Sequence, residues 1–284
     1  MTITKPIELR FEVNGITLAA QEWGDPNGEP VLALHGWLDN SASFYRLAPL
    51  LKNIRLIAVD MAGHGESDHR VGFSSYVIWN DISDIFDIAK QLDWQKFSLL
   101  GHSRGAIVSS LFAATFPDKI SKLMLLDGLF PEPIKDEDAP KQLARAVLDN
   151  AKQNTPTVFE TLDKMSKARQ QSRWPLSKQS ADALLERGVK KVTGGYCWSS
   201  DAKLMAASSF KLTRKQIYAF LSEIKAPTKL LLAQEGLAKE FPAISSILDN
   251  FSFIDVEVLE GNHHFHMDSQ VSLISTMLNN YLED

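Results

Sequence analysis

Short apolar runs recur along the chain: IELRFEV, ITLAAQEW, VLALHG, IRLIAVD, FSLLGH, KLMLLDG, KLLLAQ and FIDVEVLEG. The first two are joined through Asn14-Gly15, a dipeptide suited to a tight two-residue turn, and predict an antiparallel hairpin. Most later runs are continuously apolar, as strands buried on both faces are, and helical periodicity lies between them. One such helix follows Ser75 and aligns Ile78, Ile82, Ile85, Phe86, Ala89 and Leu92 on one face. Another closes the chain, with Met267, Val271, Ile274, Leu278 and Tyr281 at the same period. This alternation predicts an α/β fold: a mostly parallel, doubly wound sheet with an antiparallel N-terminal hairpin.

The alternation breaks between about residues 130 and 225, where the chain turns polar and helix-prone and offers no convincing buried strand. Residues 1–129 and 226–284 are expected to build the core. Residues 130–225 are expected to form a helical cap, or lid, inserted after the sixth strand.

Composition narrows the field. With 284 residues the chain can bury a sizeable core. A formal net charge of -5 and no long Lys/Arg block speak against nucleic acid or an anionic membrane as partner. The lone Cys197 cannot form an intrachain disulfide and lacks companions for a zinc site, so a buried, inert thiol is expected. The N-terminus has no apolar leader and no run is long enough to span a membrane, which makes the cytoplasm the default location.

The chemistry concentrates in FSLLGHSRGAIVSS, residues 97–110. A serine between two glycines, where a strand passes into a helix, is the pattern of a sharp turn that lifts a hydroxyl clear of the sheet. Gly101 and Gly105 supply the positions where side chains cannot fit. Ser103 then stands at a helix N-terminus, where the dipole favours negative charge. A serine needs a base, and the base needs an orienting group. LEGNHHFHMD supplies His263, His264 and His266. His263 is preferred because it directly follows the Gly261-Asn262 turn after the last strand. His266 is expected at the start of the closing helix, His264 in packing or facing solvent, and Asp268 as a helix cap. That capping role, with one histidine serving the serine, argues against a metal cluster. The orienting acid is either Asp127, at the end of KLMLLDG, or Glu235, after KLLLAQ; Asp127 is preferred because it gives the chain order Ser, Asp, His. The backbone N–H groups of Arg104 and of Trp37, in HGW, are the expected oxyanion donors, each worth about 3 kcal/mol in the transition state. His35, His64 and His102 are read as structural, packing in turns or bonding backbone.

Four signatures, HGW, DMAGHGESD, GHSRG and GNHHFH, stand in the order that makes the sequence resemble an α/β-hydrolase from about Val31 onward. His263, His266 and Asp268 match the spacing HxxHx followed by an acid, in which the resemblance makes the first histidine catalytic. HGWLDNSASFYRLAPLL, GGYCWSSDAKL and LTRKQIYAFLSEIKAPTKLLLAQEGL are similar to the serine hydrolase-like proteins of that superfamily, which implies a helical lid and a serine hydrolase. In many members the acid lies later, in a GxxD pattern, where this chain has Leu237. The resemblance therefore moves that role to Asp127, with Glu235 as the alternative.

The expected activity is cofactor-free hydrolysis of small to medium carboxylic esters through an acyl-enzyme, with Trp174, Tyr196 and Trp198 suggesting an apolar pocket in the cap. Carbon-carbon bond hydrolysis or perhydrolysis on the same fold is an alternative. A hydrolase-like binding protein with vestigial turnover is another. Ser103 argues against the related enzymes that place an aspartate at this turn.

Overall fold

A computed structural model describes residues 3–73, 76–152, 155–241 and 243–283. Ser75, the predicted boundary of the first helix, lies outside the described residues. Every apolar run becomes a strand: β1 (Ile3–Val13), β2 (Ile16–Gly24), β3 (Glu29–Leu34), β4 (Ile54–Val59), β5 (Phe97–His102) and β6 (Ile120–Leu126), with α1 (Ile78–Gln91) before β5 and α2 (Arg104–Thr115) after it. The segment after β6 holds α3 (Ala139–Ala151), α4 (Leu162–Gln170), α5 (Lys178–Gly188), a hairpin of β7 (Val189–Val192) and β8 (Gly195–Trp198), and α6 (Arg214–Ser222). The chain ends with β9 (Thr228–Glu235), α7 (Leu237–Glu240), α8 (Ala243–Leu248), β10 (Ile254–Asn262) and α9 (Val271–Glu283).

The main sheet has eight strands in the order β1-β2-β4-β3-β5-β6-β9-β10. β1 and β2 pair antiparallel, with Val13 opposite Ile16 across the Asn14-Gly15 turn, and β2 pairs antiparallel with β4. All remaining pairs are parallel. Successive residues of the central strands enter opposite cores, as a period of two requires. Leu32 and Leu34, Leu123 and Leu125, and Leu230 and Leu232 face α1 and α2, where they meet Ile85, Ile88, Val108 and Phe112. Val31 and Ala33, Met124 and Leu126, and Leu231 and Ala233 face the other side, against Phe44, Phe265, Ile274 and Leu278. Burial on both faces explains why these runs lack polar alternation.

Among the described residues, the segment between β6 and β9 adds no strand to this sheet. It does contain the β7–β8 hairpin, which the sequence reading did not anticipate; Lys190 and Lys191 make its first strand polar and Gly194 turns it with φ 87°. Among the described residues no helix is long and apolar enough to cross a membrane. Cys197 is buried in β8.

Candidate active site

The loops that leave the carboxyl ends of β3, β5, β6, β9 and β10 converge, as expected for a ligand site in a parallel sheet. At the end of β5 the backbone of Ser103 takes φ 52° and ψ -115°, a conformation unfavourable for any residue with a Cβ, and α2 begins at the next residue. A Cβ on residue 105 would lie 2.0 Å from the carbonyl oxygen of Leu34, and one on residue 101 would lie 2.5 Å from the backbone nitrogen of Ala106. Glycine at both places lets α2 sit directly on β3 and β5. The hydroxyl of Ser103 is thus presented at the N-terminus of α2, half-buried, on the wall of a cavity of about 390 Å³.

β6 runs beside β5 and ends at Asp127, whose φ is 44° and whose side chain is fully buried. Its Oδ1 accepts from the backbone N–H of Ala233 at 3.0 Å, and its Oδ2 accepts from the N–H of Leu237 at 2.9 Å. Oδ2 also accepts from Nδ1 of His263 at 2.5 Å. Leu237, which occupies the position of the acid in many similar sequences, here donates its amide to Asp127. Gly236 makes this possible, because a Cβ there would lie 2.2 Å from Oδ2. Glu235 is exposed and ion-paired to Lys239, so the structure does not bring it to His263.

His263 is buried, with the ring of Trp174 at a centroid distance of 4.7 Å. Its Nδ1–H points to a carboxylate, so the tautomer leaves a lone pair on Nε2. Among the described residues, Nε2 of His263 and the hydroxyl of Ser103 are not hydrogen-bonded to each other or to other groups. His102, beside Ser103 in the chain, donates from Nε2 to the carbonyl oxygen of His263 at 2.8 Å and so fastens the two loops together.

The loops after β3 and β5 bring Trp37 and Arg104 to the wall of one cavity. Arg104 is the first residue of α2, so its N–H has no partner within the helix. Trp37 follows β3 in a turn closed by the N–H of Asp39 on the carbonyl of Gly36 at 3.2 Å. Among the described residues, neither amide is engaged in a hydrogen bond. The cavity that Trp37 and Arg104 line has a volume of about 250 Å³ and is also lined by Tyr76, Lys203 and Ser208. The apolar lining of the larger cavity comes from Ile107, Leu129, Phe130, Leu237, Phe241 and Ile244. Trp174, Tyr196 and Trp198, expected to line a pocket, do not line it: Trp174 covers His263, Trp198 meets Phe159, and Tyr196 sits in the hairpin.

The histidine loop differs from expectation in two respects. Residues 263–270 form consecutive turns, and α9 begins only at Val271, so His266 precedes the helix. The cause is local: Phe265 N–H bonds to Asn262 O and Gln270 N–H to Phe265 O, and the chain winds without a helical ladder. Asp268 does not cap α9; its carboxylate accepts from the N–H and hydroxyl of Ser177 and from the hydroxyl of Ser180. His264 is buried, with Nε2 donating to Oδ2 of Asp39 at 3.2 Å, and His266 contacts the hydroxyl of Ser43 at 2.9 Å. His35 donates to Gly36 O and accepts from Met61 N–H, and His64 donates to Ala62 O.

Asp39, His102 and His264 each bring one possible metal ligand atom within 4.8 Å of the others. Arg169 ion-pairs with Oδ1 of the same Asp39 carboxylate, and a cation held by this group would meet its repulsion. Burial works against the charge on Asp39, but Arg169, His264 and His102 outweigh it and hold the carboxyl well below its usual range.

Burial holds His35, His64, His102, His264 and His266 below the ordinary imidazole value of 6.5. The unfolded chain therefore takes up protons that the folded chain refuses as pH falls through 6.5. Stability is complete above that value and declines below it, by up to about 1.4 kcal/mol per pH unit for each such ring. Urea unfolding midpoints should fall steeply between about pH 7.5 and pH 5.5. A flat midpoint over that interval would show that the rings are protonated in the folded state.

Known proteins share this architecture. A family model described as the alpha/beta hydrolase fold matches residues 29–239. A serine hydrolase-like protein of Danio rerio is 33% identical over 291 residues, covering 97% of this chain and 88% of its own length. The crystal structure of a hypothetical protein from Pseudomonas aeruginosa PAO1 is 37% identical and superposes with a TM-score of 0.94, covering 98% of this chain and 99% of that one. A thioesterase domain from the curacin biosynthetic pathway is 25% identical with a TM-score of 0.86, over 96% of this chain and 99% of its own.

Proposed function

The chain belongs to the α/β-hydrolase family, and from that premise we propose that it is a serine hydrolase of small to medium carboxylic esters, with Ser103, His263 and Asp127 as its triad. The observation that carries this reading is the buried Asp127–His263 pair at 2.5 Å, at the same end of the sheet as a hydroxyl held at φ 52°.

Ser103 Oγ attacks the acyl carbon and passes its proton to Nε2 of His263, while Asp127 holds the imidazolium through Nδ1. The negative oxygen of the tetrahedral intermediate accepts from the N–H groups of Trp37 and Arg104. As the intermediate collapses, His263 returns the proton to the departing alkoxide and the acyl group stays on Ser103. Water, deprotonated by the same imidazole, then attacks the acyl carbon; the bond to Ser103 Oγ breaks, the imidazole returns its proton to that oxygen, and the carboxylic acid leaves. Substrate binding brings the hydroxyl and the imidazole into the hydrogen bond that they do not make without it, as happens in other sites whose unliganded hydrogen bonds are loose.

The cavity of about 390 Å³ suits the apolar part of an ester, and the smaller one beside Trp37 suits the part on the other side of the scissile bond. Residues 130–225 act as the cap over both, through Phe130 and Pro133 in one and Leu204 to Ser209 in the other. The thioesterase likeness supports acyl transfer as the reaction class. No cofactor is needed for these steps.

The test joins turnover to labelling. Hydrolysis of para-nitrophenyl butyrate should disappear in proportion as a fluorophosphonate modifies Ser103, identified by peptide mass. Turnover that survives complete phosphonylation, or a protein that neither hydrolyses esters nor takes the label, would remove the reading.

A further inference from the structure

Two arginines, Arg187 buried and Arg169 half-buried, fasten the cap to the carboxyl edge of the sheet, each received by a buried aspartate in a core loop. Arg187 of α5 bonds Oδ2 of Asp60 at 2.9 Å and 3.1 Å and reaches Glu8 at 2.7 Å. Arg169 of α4 pairs with Oδ1 of Asp39. The pairs differ in what stands behind the carboxylate. Asp60 braces backbone, accepting from Ser41 N–H at 2.6 Å and Glu66 N–H at 2.9 Å. Asp39 instead accepts from His264, whose peptide adjoins His263.

Asp39 also ends the turn that carries Trp37. Its Oδ2 lies 3.9 Å from Nδ1 of His102, and a Cβ on Gly36 would fall 2.9 Å from both atoms. His102 in turn holds the carbonyl of His263. One carboxylate thereby touches the turn of the oxyanion donor, the residue before the nucleophile and the residue after the base. The same stretch of cap continues along the histidine loop: Trp174 lies on His263, Pro175 O accepts from Asn262, and Ser177 binds Asp268.

We propose that Arg169 is a positioning residue for His263, acting through Asp39 and His264, so that docking of the α4 end of the cap is a condition of the base standing in register with Ser103. The inference rests on the serine hydrolase reading. With the guanidinium in place, Asp39 stays ionised and fixed between His264 and the Trp37 turn. Without it, the buried carboxyl is driven toward its neutral, protonated form, and a neutral carboxyl accepts a weaker hydrogen bond from His264, which loosens the contact that steadies the His263 peptide. Misplacement of a catalytic group by a fraction of an ångström is enough to slow chemistry without weakening substrate binding.

The experiment compares Arg169→Gln, Arg169→Lys, Asp39→Asn and Arg187→Gln in the full chain. It reads kcat and KM on para-nitrophenyl butyrate, the rate of Ser103 phosphonylation, thermal stability, and the far-downfield proton resonance of the Asp127–His263 bond. Arg169→Gln and Asp39→Asn should each lower kcat by about tenfold or more with KM changed less than about threefold, slow phosphonylation in parallel, and broaden or abolish the downfield resonance. Arg169→Lys should recover most of kcat. Arg187→Gln should lower thermal stability yet keep kcat within about twofold. The inference is overturned if Arg169→Gln and Asp39→Asn keep wild-type kcat and resonance, or if Arg187→Gln loses as much of both. Should Arg169→Gln not fold, Asp39→Asn, which keeps the shape of the side chain, decides alone. A wild-type protein that is neither labelled nor active fails the hydrolase reading instead, and the resonance then still tests whether Arg169 positions His263.

Discussion

Replacing Ser103 by alanine should lower kcat on para-nitrophenyl butyrate by about 10⁶, with KM changed by less than about threefold. The size follows from what the hydroxyl does and does not touch. Alanine keeps the Cβ, so the φ of 52° at residue 103 is neither relieved nor worsened. The hydroxyl makes no hydrogen bond to the rest of the fold among the described residues, so its loss leaves no orphaned partner. Gly101, Gly105 and the start of α2 are unaffected. What disappears is the attacking atom, and the residual rate is what the oxyanion donors and the cavity give an adventitious water. Steady-state turnover of the purified variant measures this. A variant that retains more than about a hundredth of wild-type kcat would show that the acyl group does not pass through residue 103.

The architecture was legible where burial on two faces leaves a simple mark. KLMLLD and KLLLAQ read as central strands because every residue must satisfy one of two cores, and Met124 and Leu125 do enter opposite ones. Strand neighbours leave no such mark. That β2 pairs with β4 while β3 lies between β4 and β5 follows from the packing of crossovers. Short elements also escaped: α7 spans Leu237–Glu240 and α8 Ala243–Leu248, too few residues to establish a helical period. The turns of 263–270 were masked because Met267 happens to continue the apolar period of α9 although it precedes that helix.

Within the site, residues at strand ends could be placed from sequence, because the sheet itself delivers Ser103 from β5, Asp127 from β6 and His263 from β10 to one edge. The charged groups behind them could not. Arg169 and Asp39 are separated by 130 positions, and Arg187 and Asp60 by 127. Read singly, each looks like an ordinary surface charge in a polar stretch; only the packing of α4 and α5 on the loops after β3 and β4 pairs them, with Asp39, Asp60 and Arg187 buried and Arg169 half-buried. Trp174 illustrates the same limit, since its residue type suggested a pocket wall while its position makes it a cover for His263.

Asp127→Asn should lower kcat by about 10⁴, and Glu235→Gln should leave it within about twofold. Three N–H groups converge on the Asp127 carboxylate, from Ala233 at 3.0 Å, Leu237 at 2.9 Å and His263 at 2.5 Å. A carboxylate accepts all three, whereas an asparagine has one oxygen and one NH2 to offer. If the amide oxygen faces Ala233, the NH2 meets both Leu237 N–H and Nδ1 of His263. The only relief at the ring is for Nδ1 to become the acceptor, which moves its proton to Nε2. That tautomer has no lone pair to receive the proton of Ser103, so the base is lost although every atom stays near its place. If the amide turns over, the NH2 is aimed at the buried Ala233 N–H, and the fold must yield there. Glu235 cannot step in: its side chain is exposed and paired with Lys239, and the carboxylate of Asp127 already fills the space beside Gly236. Near-wild-type kcat in Asp127→Asn combined with a large loss in Glu235→Gln would transfer the orienting role to the later strand. Equal, mild losses in both would mean that His263 needs no carboxylate to keep its tautomer.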